Sequence, residues 1–123
     1  MTKTILIVED DPFIAMDLQD TFEDAGYTVL GPVASVVPGL KLLREAKPDV
    51  AMLDYNLGSE TSIPIAYKLD EEAVPYVFLS GQVEKVVSAN TMKSYEVIAK
   101  PFNAEKLIAR INQLAQRERH VLG

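Results

Sequence analysis

Four groups of residues in this chain have the types and places to do chemistry. Glu9-Asp10-Asp11 follows the apolar run Ile5-Leu6-Ile7-Val8, Asp54 follows Val50-Ala51-Met52-Leu53, Ser80 follows Tyr76-Val77-Phe78-Leu79, and Lys100 follows Val97-Ile98-Ala99. Together they are the kit for making and breaking an acyl phosphate. A carboxylate can attack phosphorus. Two further carboxylates beside it would repel it unless a hard cation joined them, and Mg²⁺ suits an all-oxygen site. A lysine supplies a point charge for phosphate oxygens and a hydroxyl supplies a hydrogen bond. Each signal alone has an ordinary structural explanation. Asp11 before Pro12 reads as a helix cap, Asp54 could hold a turn with Asn56 and Gly58, Ser80-Gly81 is a common loop pair, and Lys100-Pro101-Phe102 is a common turn. The weight lies in all four standing at the ends of apolar runs.

Those runs must be the elements that position the groups. Each is short and apolar, and Ile5 to Val8 is also rich in β-branched residues, the pattern of a strand covered on both faces. Between them lie helical repeats. Ile14, Leu18, Phe22 and Ala25 recur at helical spacing from the Asp11-Pro12 start to Gly26. A second strand is expected at Tyr27–Leu30 and a second helix at Val36–Ala46. Ile65, Ala66, Leu69 and Ala73 mark a third helix starting near Ser62–Pro64, and Gln82–Met92 reads as a weak helix, poor in helix formers. Asn103 caps the last helix, with Leu107, Ile108, Ile111 and Leu114 on one face. Five alternations of strand and helix give an α/β, doubly wound parallel sheet with helices on both faces. In such sheets a ligand sits beyond the carboxyl ends of the strands, where the four groups fall.

The 123 residues suit one domain, here taken as 1–123 with a core of about 4–117. Eighteen acidic against twelve basic residues leave a net charge of −6, which argues against nucleic-acid binding. There is no cysteine, and the single His120 rules out a poly-histidine metal centre and reads as a solvent-facing helix residue. No apolar run is long enough for membrane insertion, and the first one is too short for a signal peptide, so a cytoplasmic location is expected.

With these residues in view, the chain resembles the response-regulator receiver domain of two-component signalling. The matching segments are Ile5 to Asp11, Leu53-Asp54-Tyr55-Asn56-Leu57-Gly58, Ser80-Gly81 and Lys100-Pro101-Phe102. The resemblance implies a flavodoxin-like (βα)5 fold with strand order 2-1-3-4-5. It implies that Asp54 is the phospho-acceptor, that Asp10, Asp54 and the Asn56 backbone carbonyl hold Mg²⁺ directly, and that Glu9 does so through water. Ser80 becomes the switch hydroxyl and Lys100 the phosphate partner, with the Lys100–Pro101 bond cis. A sensor histidine kinase or phosphotransfer protein would be the donor and a downstream protein, not yet named, the target. No turnover enzyme is implied, only self-phosphorylation and dephosphorylation. Few residues follow the last helix, so the expectation is signalling by protein contact without an output domain.

The chain departs from the family pattern at Val97, where most receivers carry an inward-turning aromatic; Tyr95 lies two residues earlier. Pro75-Tyr76-Val77-Phe78-Leu79-Ser80-Gly81 is similar to the Pro-Phe-x-Phe-Ala-Thr-Gly motif of an alphaproteobacterial subclass that also lacks the aromatic. Coupling would then run through Ser80, Gly81 and the weak helix, with residues 82–94 mobile until phosphorylation. Two rival classes are weighed. A Mg-dependent phosphohydrolase of the haloacid-dehalogenase group would want its aspartate after the first strand and a second Asp two residues on, where this chain has Asn56. A flavodoxin-like mononucleotide binder would want a Gly- or Ser-rich loop after strand one, not Glu9-Asp10-Asp11.

Overall fold

The computed structural model describes residues 2–82 and 96–120, the last four of these for their backbone only. Five strands form one parallel sheet: β1 Thr4–Val8, β2 Thr28–Val33, β3 Val50–Asp54, β4 Tyr76–Ser80 and β5 Val97–Ala99. Their order is β2-β1-β3-β4-β5, as expected. Four helices are described, α1 Pro12–Asp24, α2 Val36–Glu45, α3 Ile63–Glu71 and α4 Ala104–His120. The helix expected over Gln82–Met92 lies, beyond Gln82, outside the described residues. So do Tyr95 and the stretch expected to be mobile before phosphorylation.

The two-residue period of the strands sorts the core into two layers. Leu6, Val8, Ala51, Leu53, Tyr76 and Phe78 face one way and pack with α2 and α3 residues such as Leu43 and Ile65. Ile5, Ile7, Val50, Met52, Val77 and Leu79 face the other way, against Leu18 and Phe22 of α1 and Leu107 and Ile111 of α4. β3 and β4 are buried throughout, which is why they read as unbroken apolar runs.

Three boundaries differ from the sequence expectation by more than one residue. β2 runs on to Val33, through Gly31 and Pro32. Proline is tolerated because β2 is an edge strand. Gly31 stands at φ +91°, and a Cβ there would lie 2.8 Å from the Val33 nitrogen and 2.9 Å from the Ile7 oxygen. The pairing with β1 shifts register here, from Leu6 opposite Leu30 to Val8 opposite Val33. The third helix stops at Glu71, so Ala73 does not belong to it. Ala73 takes φ 57°, and the Val74 N–H returns to the Leu69 carbonyl at 2.9 Å, a helix stop normally announced by glycine. The last helix continues to His120, whose side chain lies outside the description. Among the described residues no helix is long and apolar enough to cross a membrane.

Candidate functional site at the carboxyl ends of the strands

β1, β3 and β5 deliver the site. Counting in twos from Ile5 and Ile7, from Val50 and Met52, and from Ile98 puts Glu9, Asp54 and Lys100 on the α1/α4 side. The Glu9 N–H is held by the Val33 carbonyl at 2.9 Å, so the register shift in β2 sets where the acidic turn leaves the sheet. Asp11 then caps α1, its Oδ1 accepting from the Phe13 N–H at 2.9 Å and the Ile14 N–H at 3.2 Å, with Pro12 in the first turn. The Asp11 N–H donates to Glu9 Oε2 at 3.1 Å. Asp11 is therefore the cap its sequence context announced, and it also holds Glu9.

Glu9 and Asp54 are buried, at 2% and 6% exposure, and Asp10 is exposed. One carboxylate oxygen from each of the three lies within 4.8 Å of the others. Lys100 answers two of them, its Nζ lying 3.0 Å from Asp54 Oδ1 and 3.2 Å from Glu9 Oε1. Burial raises the pKa of Asp54 to about 7; Lys100 pulls it down by hydrogen bond and charge, while the negative charge of Glu9 adds to the rise. Burial works against the charge on Lys100, but the Asp54 hydrogen bond and the two carboxylates outweigh it, so its pKa is raised. Three clustered carboxylates are hard oxygen donors and suit Mg²⁺, which commonly binds through a few carboxylates and keeps waters.

Ser80 is buried at the end of β4, and its carbonyl accepts the Lys100 N–H at 2.9 Å. Its hydroxyl is turned to the following loop, where it accepts the Gln82 N–H at 2.9 Å. Asn56 lies in a small hairpin after Asp54, paired antiparallel with Thr61. Lys100–Pro101 is cis, as is Gly31–Pro32. Val97 lies opposite Phe78 and packs on the layer containing Tyr55, Tyr76 and Phe78. The Phe78 ring meets Tyr55 and Tyr76 edge-on, at 5.4 Å and 5.6 Å between centroids. A cleft of about 320 Å³ opens beside the acids, between Pro12 and Met16 of α1 and Pro32 and Val33 of β2. Sequence reasoning did not single out Glu60, whose carboxylate reaches the start of α2; nothing local in the sequence signals a contact across that distance.

The family model of the response regulator receiver domain matches residues 5–112. The chain belongs to this family, the receiver domains of response regulators in two-component systems. Such domains obtain a phosphoryl group from kinases, bind Mg²⁺ at an acidic site, and are generally signalling modules. Among individual proteins, the chain is 32% identical over 116 residues to the phyllosphere-induced regulator PhyR of Methylorubrum extorquens, covering 92% of this chain and 43% of that protein. It is 28% identical over 120 residues to the chemotaxis protein CheY of Thermotoga maritima, covering 94% and 100%. A response regulator receiver protein from Sinorhizobium medicae superposes with a TM-score of 0.84 at 24% identity, over 95% of this chain and 97% of that one. The chain spans about half the length of several curated relatives it matches.

Proposed function

We propose that this receiver accepts a phosphoryl group on Asp54, in a Mg²⁺-dependent reaction, from a histidine kinase or phosphotransfer protein. The observation that carries the reading is the placement of Lys100, within 3.0 Å of Asp54 and 3.2 Å of Glu9, beside a three-carboxylate cluster. An Asp54 Oδ attacks phosphorus as the bond to the donor nitrogen breaks. The electron pair leaves with that nitrogen, and the phosphoryl group stays as an acyl phosphate. Phosphoryl transfer asks mainly for positioning and charge neutralisation. Lys100 fixes Asp54 Oδ1 and is poised to meet a phosphoryl oxygen, and burial limits the access of water to the carboxylate.

Asp10, Asp54 and the Asn56 carbonyl are the direct metal ligands in this reading, with Glu9 acting through water. The bound cation supplies positive charge that favours ionised Asp54 and offsets the charge of the incoming group. Ser80 serves as the switch hydroxyl, exchanging its Gln82 N–H for the phosphoryl group, and Val97 in place of an aromatic moves the coupling to β4 and the loop after it. The likeness of Pro75-Tyr76-Val77-Phe78-Leu79-Ser80-Gly81 to the motif of the subclass without the aromatic supports a place near it. The signal then passes by protein contact, which the net charge of −6 favours over nucleic acid. Incubation with acetyl phosphate and Mg²⁺ tests the reading. One base-labile phosphoryl group on Asp54 is the expected mass gain, and none without Mg²⁺. Sustained turnover of phosphate esters would instead place the chain among hydrolases.

A further inference from the structure

We propose that Glu60 is a positioning residue for the metal end of the site, holding the hairpin that carries the Asn56 carbonyl; this rests on the reading of that carbonyl as a ligand. The hairpin is slight. The Ser62 N–H donates to the Tyr55 carbonyl at 3.0 Å and the Leu57 N–H donates to the Glu60 carbonyl at 2.8 Å. Asn56 and Thr61 form the pair between these bonds, so the Asn56 carbonyl turns away from Thr61 and is left for another partner. Gly58, at φ 79°, helps close the turn. One side of the hairpin is anchored by Tyr55 and Leu57, both buried in the α2/α3 layer.

Glu60 anchors the other side. Its Oε2 accepts the Val36 N–H at 2.9 Å, across 24 residues of sequence. Val36 begins α2, and Ser35, at the cap position, makes no side-chain cap bond of its own. The helix end therefore draws its anionic partner from the acceptor loop, a charge-assisted bond at the positive end of the helix. The Asn56 carbonyl is thus carried between two anchors, one apolar and one a hydrogen bond. With the hydrogen bond cut, the hairpin can pivot about Tyr55 and Leu57, and the carbonyl leaves its place.

The test is titration of metal-free protein with MgCl₂ by calorimetry, using wild type, Glu60→Ala, Glu60→Gln and Asp10→Asn, with exchange of the Val36 amide followed in parallel. Glu60→Ala is expected to lose the protection of the Val36 amide and to weaken Mg²⁺ binding about tenfold, the low end for residues that orient ligands. Glu60→Gln keeps an acceptor oxygen and is expected to stay within about twofold of wild type on both readouts, as the hydrogen bond needs no charge. Unchanged affinity in Glu60→Ala alongside a loss in Asp10→Asn overturns the positioning role and leaves the metal site standing. Equal losses in Glu60→Ala and Glu60→Gln overturn it as well, since the effect is then one of charge alone. Unchanged affinity in Asp10→Asn removes the metal site itself, and the proposal with it.

Discussion

The two ends of the sheet handle polar groups in opposite ways. At the amino end, Asp49 Oδ2 accepts the Thr4 N–H at 2.8 Å and the Asp49 N–H returns to the Thr4 carbonyl at 2.8 Å. The Tyr27 hydroxyl, pushed up in pKa by burial and then by the charge of Asp49, donates to Asn112 Oδ1. Donors and acceptors are matched there. At the carboxyl end, three carboxylates crowd within 4.8 Å, with Lys100 bridging two of them. The first arrangement serves the fold. The second gathers like charges, at a cost in stability that Lys100 offsets in part.

Replacing Asp54 by Asn should break the contrast most completely. An amide is nearly isosteric but no nucleophile, so acetyl phosphate plus Mg²⁺ should give no mass gain. The metal-free variant should nevertheless melt above wild type at pH 8, because a buried charge beside Glu9 is gone. Lys100→Ala acts in the other direction. It strands Glu9 and Asp54 together, and should destabilise metal-free protein by roughly 2 kcal/mol in urea unfolding. That is below the figure for a fully buried pair, since the Lys100 side chain is 23% exposed and Asp54 can take up a proton. Added Mg²⁺ should recover part of the loss.

A gentler probe is pH. Asp54 titrates near 7 in the fold against 3.8 for the free side chain. Between these values the folded protein keeps a proton that the unfolded chain has released. Its contribution to the stability of metal-free protein therefore falls as pH rises through that window and levels off above it. Denaturant midpoints at several pH values in EDTA should follow this slope, and Asp54→Asn should flatten it. The smallest effect belongs to the amino end. Asp49→Ala should cost about 1 kcal/mol for the lost Thr4 bond, while Mg²⁺ affinity and phosphoryl uptake stay at wild-type values.

The carboxyl-end cluster was legible in the sequence because each member follows an apolar run directly, and a parallel sheet gathers such ends. The cap at Asp11 was legible because Pro12 follows it. What escaped was of two kinds. The Glu60 link to Val36 spans 24 residues, which no local pattern encodes, while the Asp11 N–H on Glu9 and the Gln82 N–H on Ser80 are two-residue side-chain turns that the local sequence permits without requiring. The end of β2 was misjudged because Gly31-Pro32 has the composition of a turn, and only its edge position lets the strand continue. Ala73 was read into α3 because its spacing fits the apolar stripe, although the chain turns left-handed there without a glycine.

The irregular end of β2 bears on how these molecules meet one another. A sheet edge with a regular row of outward N–H and C=O groups is a template on which a second chain can add a strand, and repeated addition gives aggregates. β2 is such an edge, six residues long. Pro32 has no N–H to offer an incoming strand, and the register break between Leu30 and Val33 bends the row where it would be read. The same kink that seats the Glu9 turn thus makes β2 a poor template for a second chain's strand.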